Sequence, residues 1–160
     1  MRFELPAGFA GIRVVGDVHG EAGPFRDAIA GAEAARLFVL QLGDLTDHGP
    51  DAPGVLAAMF ALMDRGAGLF LLGNHDHKLR RALLGQKVKT ELGGLGVTLE
   101  QLDDHPDGAT LAARAIAAIA HAPAWLRWRD ALFVHGGFHT GMLNEPTPPE
   151  AGARRPDGLV

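Results

Sequence analysis

The sequence predicts an α/β fold built on parallel strands, and three observations point to it. Apolar runs of strand length alternate with amphipathic stretches of helix length through the first half of the chain, in the order β-α-β-α-β. That order implies parallel strands joined by right-handed crossovers. Three of the apolar runs also end alike. Ile12-Arg13-Val14-Val15 runs into Gly16-Asp17-Val18-His19-Gly20, and Leu37 to Leu42 runs into Gly43-Asp44-Leu45-Thr46-Asp47-His48-Gly49-Pro50. Leu69-Phe70-Leu71-Leu72 runs into Gly73-Asn74-His75-Asp76. In open α/β sheets such strand ends are where sites form. The third observation is size: 160 residues, 47% of them hydrophobic, suffice for one domain with its own core.

The elements follow in order. Phe3 to Val15 reads as one or two strands entering the first turn. A helix opens at Pro24, with Phe25, Ala28, Ile29 and Ala32 on one face, and ends near Arg36. The second strand follows, and Pro50 and Pro53 stand where a helix starts. Val55, Leu56, Met59, Phe60, Leu62 and Met63 give that helix its apolar stripe, and Gly66 and Gly68 stop it before the third strand. A short helix runs from His75 to about Leu84, closed by Gly85. Gln86 to Gln101 is Gly-rich and reads as loop or turn. Asp107 or Thr110 caps a helix reaching His121, with Leu111, Ala115, Ile116 and Ile119 inward, and Pro123 ends it. Trp125-Leu126-Arg127-Trp128 and Leu132-Phe133-Val134-His135 flank Arg129-Asp130-Ala131 as a hairpin. Residues 1–143 are expected to form the domain, and Asn144 to Val160, rich in Pro, a loop or disordered tail.

Composition narrows the chemistry. With no cysteine, disulfides and thiolate metal sites are excluded, and any metal must be held by oxygen and nitrogen. The N-terminus carries no apolar signal region and no run reaches membrane-spanning length, so a cytoplasmic protein is expected. A net charge of -4 argues against a protein that coats nucleic acid, and no stable nucleic-acid complex is expected.

Asp17 and His19, one residue apart in an extended turn, can point to one side and share a metal. Asp44 adds a carboxylate able to bridge two cations, Asn74 a neutral oxygen and His135 an imidazole. Such a donor set suits Mn, Fe, Zn or Mg. Any one of these residues taken alone reads as a helix cap or a local turn partner. Three Gly-flanked turns in succession, each with a ligand type at an apolar strand end, exceed what capping requires.

Gly16-Asp17-Val18-His19-Gly20, Gly43-Asp44-Leu45-Thr46-Asp47-His48-Gly49, Gly73-Asn74-His75-Asp76 and His135-Gly136-Gly137 resemble the ordered signature blocks of the calcineurin-like metallophosphoesterases. Within them they are similar to the phosphoprotein-phosphatase branch. The stretch from Gly73 to Gly85 looks most like the phosphatase module of bacterial polynucleotide kinase-phosphatases and the symmetrical diadenosine tetraphosphatases. The resemblance covers about Ile12 to Phe138. It implies a sandwich of two mixed β-sheets flanked by helices. It also implies two divalent metals, Mn first and Fe, Zn or Mg as alternatives. Asp17, His19 and Asp44 would hold one, and Asp44, Asn74 and His135 the other, with Asp44 bridging. His75 would be the proton donor and Asp47 its orienting partner, roles that a His beside a carboxylate fits.

Two departures stand out. The family block usually carries a phosphate-binding Arg where this chain has His48, which is shorter and titrates near neutrality. A further family block, often Gly-His-Thr, has no match after Gly141, so the chain is expected to be an incomplete form of the domain. If it is whole, the second metal should be the weaker, its remaining position filled by water, a partner chain or His139.

Lys78, Arg80 and Arg81, with Lys87 and Lys89, are five of the chain's 15 basic residues and crowd the catalytic turn. With His48, Lys78, Arg80 and Arg81 are the candidate substrate-binding residues, against the plainer reading of a solvated helix face. Trp125 and Trp128 read as packing, His77 and His139 as outer hydrogen-bond donors, and His105 and His121 as surface or helix-end residues. The expected reaction is hydrolysis of a phosphoester or phosphoanhydride. A nucleotide or dinucleoside polyphosphate is preferred as substrate, with a phosphoprotein as alternative and a non-catalytic interaction scaffold as the rival class.

Overall fold

Gly11–Val15 (β1), Leu37–Gln41 (β2) and Gly68–Phe70 (β3) form a parallel sheet in the order β1-β2-β3. In the computed structural model, which describes residues 1–89 and 94–143, Gly11 lies opposite Leu37 and Val39 opposite Gly68. Ala22–Ala34 (α1) and Ala52–Asp64 (α2) are the crossovers. Because the strands are laid down in sequential order with one crossover hand, both helices fall on the same face. Asn74–Leu83 (α3), Leu95–Asp104 (α4) and Gly108–His121 (α5) join them there. Trp125–Trp128 (β4) and Ala131–Val134 (β5) form an antiparallel hairpin, with Arg129 turning through a φ of 54°.

Alternation along the strands sorts the core into two layers. Val15, Val39, Phe70 and Leu72 face the helices and pack with Phe25, Ile29, Val55, Leu56, Met59, Phe60, Leu79 and Ile119. Ile12, Leu40, Leu69 and Leu71 face the other way, onto Leu126, Trp128 and Phe133 of the hairpin. Each fully buried Leu or Phe here contributes roughly 1.5–3 kcal/mol. The α/β architecture with two sheets and flanking helices is therefore present. Within the described residues one sheet is wholly parallel and the other wholly antiparallel.

The stop signals hold. Gly66 and Gly85 take positive φ after α2 and α3, and Asp51 caps α2 by accepting the Gly54 N–H at 2.7 Å.

Two segments differ from expectation. Leu95–Asp104 is a helix where Gly-rich sequence suggested loop. Leu95, Thr98 and Leu102 recur at helical spacing and are buried, so one apolar face outweighs the cost of Gly96. The first strand is short. Met1 to Phe3 run along the hairpin instead, where Phe3 N–H donates to Arg127 O and Arg127 N–H to Met1 O. The stretch from 144 to 160 lies outside the described residues.

Candidate active site

The site is assembled at the carboxyl ends of β1, β2 and β3 from the three turns. β2 is the middle strand, so Asp44 necessarily stands between the ligands leaving β1 and those leaving β3. The turns are packed tightly enough to explain their glycines. A Cβ on Gly43, whose φ is 107°, would stand 2.7 Å from Gly73 Cα, and a Cβ on Gly73 would stand 2.2 Å from Asp44 N. No side chain fits at either place. Hydrogen bonds stitch the turns together: Val18 and His19 N–H both donate to Asp44 O at 3.0 Å.

His19 and His135 are oriented by backbone carbonyls. His19 Nδ1 lies 2.9 Å from Thr46 O and His135 Nδ1 3.0 Å from Leu42 O. A carbonyl only accepts, so each Nδ1 carries a proton, and Nε2 is the nitrogen turned toward the carboxylates, the orientation a metal-ligating imidazole needs. Both Nε2 atoms face the same oxygen. Asp44 Oδ2 is 3.9 Å from His19 Nε2 and 3.3 Å from His135 Nε2. Asp17 Oδ2 is 3.9 Å from His19 Nε2, and Asn74 Oδ1 is 3.0 Å from His135 Nε2. Asp44 Oδ1 is turned away and accepts the His75 N–H at 2.9 Å.

The residues fit divalent cations. Asp44 is buried, and its ion-pair partners among the described residues are only His19 and His135. A buried carboxylate facing the Nε2 atoms of two imidazoles, with no Lys or Arg beside it, is a donor set for a cation. Asp17, His19 and Asp44 bring ligand atoms within 4.8 Å of one another. In the second set, His135 Nε2 stands 3.0 Å from Asn74 Oδ1 and 3.3 Å from Asp44 Oδ2. Burial pushes the Asp44 carboxyl up, but the His135 bond and the charges of His135 and His75 outweigh it and hold it below the usual range. Burial likewise lowers His135, yet Asp44, Asp17 and Asp76 leave it raised.

Beside this cluster, His75 Nδ1 is 2.6 Å from Asp47 Oδ2. That bond, more than any other influence, raises the His75 pKa. Asp47 is itself fixed: Thr98 Oγ1 donates to Asp47 Oδ1 and accepts the Asp47 N–H, both at 3.0 Å. Thr98→Val should cost about 1–3 kcal/mol, because a buried N–H and a carboxylate oxygen lose their partner at once. Thermal unfolding of the variant checks this.

His48 is exposed, and its ring lies 5.2 Å from that of His19 and 5.4 Å from that of His75. Lys78 stands one turn beyond His75 and its charge lowers the His75 pKa. Arg80 and Arg81 also bind oxygens of this chain. Arg80 Nε donates to Ile116 O on α5, and Arg81 to Gln86 Oε1 and Lys87 O. His139 is exposed and belongs to neither of the grouped ligand sets among the described residues. Trp125 and Trp128 pack, against Phe138 and into the hairpin core.

Three further residues build the site and were not singled out from sequence. Gln41 Nε2 donates to Gly16 O and Gly43 O, and its Oε1 accepts the Gly43 N–H. Asp76, fully buried, accepts the N–H groups of Gly73, Asp44 and Leu45 at 2.8–3.0 Å. Gln101 holds Ala52 N–H and Gly49 O from α4. A lone Gln ending the otherwise apolar run Leu37–Gln41 was the available signal for the first.

Comparison with known proteins places the chain in a family. The chain belongs to the calcineurin-like phosphoesterase family, whose model matches residues 11–153. It is 31% identical to the symmetrical bis(5'-nucleosyl)-tetraphosphatase of Ralstonia nicotianae over 138 residues, 83% of this chain and 42% of that one. It is 38% identical over 72 residues to the asymmetrical bis(5'-nucleosyl)-tetraphosphatase PrpE of Bacillus subtilis, 45% of this chain and 29% of that one. The chain thus spans less than half the length of these curated relatives. Among solved structures it superposes on one described as a candidate diadenosine tetraphosphatase, with a TM-score of 0.57, 24% identity, and 91% of this chain and 57% of that one covered. A cold-active protein-tyrosine phosphatase of a Shewanella species gives the same TM-score at 19% identity, over 93% of this chain and 50% of that one. Among the described residues no helix is long and apolar enough to cross a membrane.

Proposed function

We propose that this chain carries the catalytic site of a metal-dependent hydrolase acting on phosphoanhydrides of the dinucleoside polyphosphate class. The observation that carries the proposal is Asp44 Oδ2, presented to the Nε2 atoms of both His19 and His135 beside the His75–Asp47 pair. The names of the relatives from Ralstonia nicotianae and Bacillus subtilis support the substrate class.

In this reading Asp17, His19 and Asp44 hold one divalent cation, and Asp44, Asn74 and His135 another. Mn suits this oxygen-rich set better than a softer ion. When bound, two such cations polarise the phosphoryl group and activate the attacking water for an in-line displacement. The protein's own groups do the rest. His75 Nδ1–H is held by Asp47, so Nε2 carries the second proton of the imidazolium and gives it to the leaving oxygen. Lys78 and His48 stand at the mouth for the remaining phosphate charge. A cytoplasmic location belongs to the same proposal.

A Mn-supplemented panel of aryl phosphate, bis-aryl phosphate, dinucleoside tetraphosphate and phosphopeptide tests it. Fastest turnover is expected on the dinucleoside tetraphosphate. Preference for the phosphopeptide, or no hydrolysis of any substrate, would overturn it.

The acid assignment has its own test. His75→Ala should slow a poor leaving group by about 10²–10⁴-fold and an activated aryl ester far less, since only the former depends on protonation. Asp47→Asn removes the main cause of the raised His75 pKa. The alkaline limb of the pH–kcat profile should then move to lower pH. An unmoved limb would exclude His75 as the titrating acid.

A further inference from the structure

His48 remains after both ligand sets and the proton-donor pair are filled. One ring nitrogen each from His19, His48 and His75 lies within 4.8 Å of the other two. The rings meet edge to face, with centroids 5.0–5.4 Å apart. His19 and His75 are already anchored through Nδ1, on Thr46 O and on the Asp47 carboxylate. Outer partners of this kind orient metal-bound imidazoles and raise their basicity. Among the described residues the His48 ring has ring contacts but no hydrogen bond or ion pair, so its nitrogens are available.

We propose that His19, His48 and His75 form an alternative site for a Zn-class cation, exclusive with the cation at Asp17, His19 and Asp44 because both use His19. The chemistry separates the two positions. Three neutral imidazoles and an open fourth position are a zinc donor set, whereas Mn and Mg favour carboxylates and water. Nitrogens around a tetrahedral Zn are about 3.3 Å apart at Zn–N bonds of about 2.0 Å. The nitrogens, now within 4.8 Å of one another, must therefore close by at most about 1.5 Å, and exposed His48, which has no hydrogen bond, moves most readily. A cation there also takes the His75 lone pair and removes the proton donor. That inhibitory consequence rests on the function proposed above, but the binding does not.

The test uses the full chain loaded with Mn. Titration with Zn, followed by metal analysis after desalting, should show one Mn lost for each Zn gained. The metal-free chain with Co should develop the visible absorption of a tetrahedral imidazole site. His48→Arg and His48→Asn should each weaken Zn binding at least tenfold, abolish the Co band and leave Mn binding unchanged. Asn tolerates the left-handed backbone at His48, φ 66°, so that variant separates loss of the imidazole from loss of the fold. Zn that binds equally well in wild type and both variants, or that adds without displacing Mn, would overturn the proposal. Mn–Zn exchange that depends on His48, in a chain that hydrolyses no phosphoanhydride, would uphold this site and sink the proposed function instead.

Discussion

Asp44→Asn should lower turnover by on the order of 10³-fold, about 4 kcal/mol of barrier, more than loss of any terminal ligand. The substitution is nearly isosteric and falls where the backbone is left-handed, φ 59°, a conformation Asn accepts. The retained oxygen can still accept the His75 N–H now bound by Oδ1. What changes is the position of Oδ2, which becomes an amide NH₂ aimed at His135 and His19. It offers neither charge nor lone pair. Asp17→Asn, by contrast, touches one ligand group and leaves the set of Asp44, Asn74 and His135 whole. Metal analysis with steady-state kinetics checks the expectation. Near-wild-type turnover with two cations bound to Asp44→Asn would remove Asp44 from the bridging role.

The fold was legible because its signals are local and repeated. Pro50 and Pro53 at the α2 start, Gly66 and Gly85 at helix ends, and the stripe through Val55, Leu56, Met59 and Phe60 each need only a few neighbouring residues. The residues brought together at the site were legible for a related reason: a Gly that lets two turns touch must sit beside the group those turns present. What escaped was support that comes from far along the chain. Thr98 reaches Asp47 from a helix whose glycines hid its period. Arg80, read as a phosphate ligand in a basic cluster, also has its Nε on the Ile116 carbonyl of α5, a partner no local pattern announces. Asp76 was read as part of a turn, and nothing in Gly73-Asn74-His75-Asp76 says that two of its three partners, Asp44 and Leu45, lie in the second turn.

Asp76 should therefore be the costliest residue to truncate. Its Oδ2 accepts Gly73 and Asp44 N–H, at 2.9 and 2.8 Å, and its Oδ1 accepts Leu45 N–H at 3.0 Å. These bonds hold the left-handed Asp44 in place and tie the third turn to the second. Asp76→Ala leaves three buried N–H groups without acceptors. At about 1–3 kcal/mol each, the loss should be at least about 3 kcal/mol and should take cation binding with it. Asp76→Asn keeps one oxygen for two of the three donors and should cost much less. Burial, then repulsion from Asp44, pushes the Asp76 pKa up to about 6 from 3.8 against the pull of those N–H bonds. A carboxyl whose pKa is higher folded than unfolded favours the fold below the unfolded value, and that contribution is lost as pH rises through the folded one. In the metal-free chain Asp76 thus removes stability between pH 3.8 and about 6, on the order of 3 kcal/mol over the interval. Asp76→Asn, which cannot ionise, should flatten the stability profile across that window. Urea unfolding of wild type, Asp76→Asn and Asp76→Ala at several pH values, with chelator present, measures both effects. Equal losses in the two variants would show that the acceptors are not what Asp76 contributes. A wild-type profile as flat as that of Asp76→Asn would show that the buried carboxyl does not titrate there.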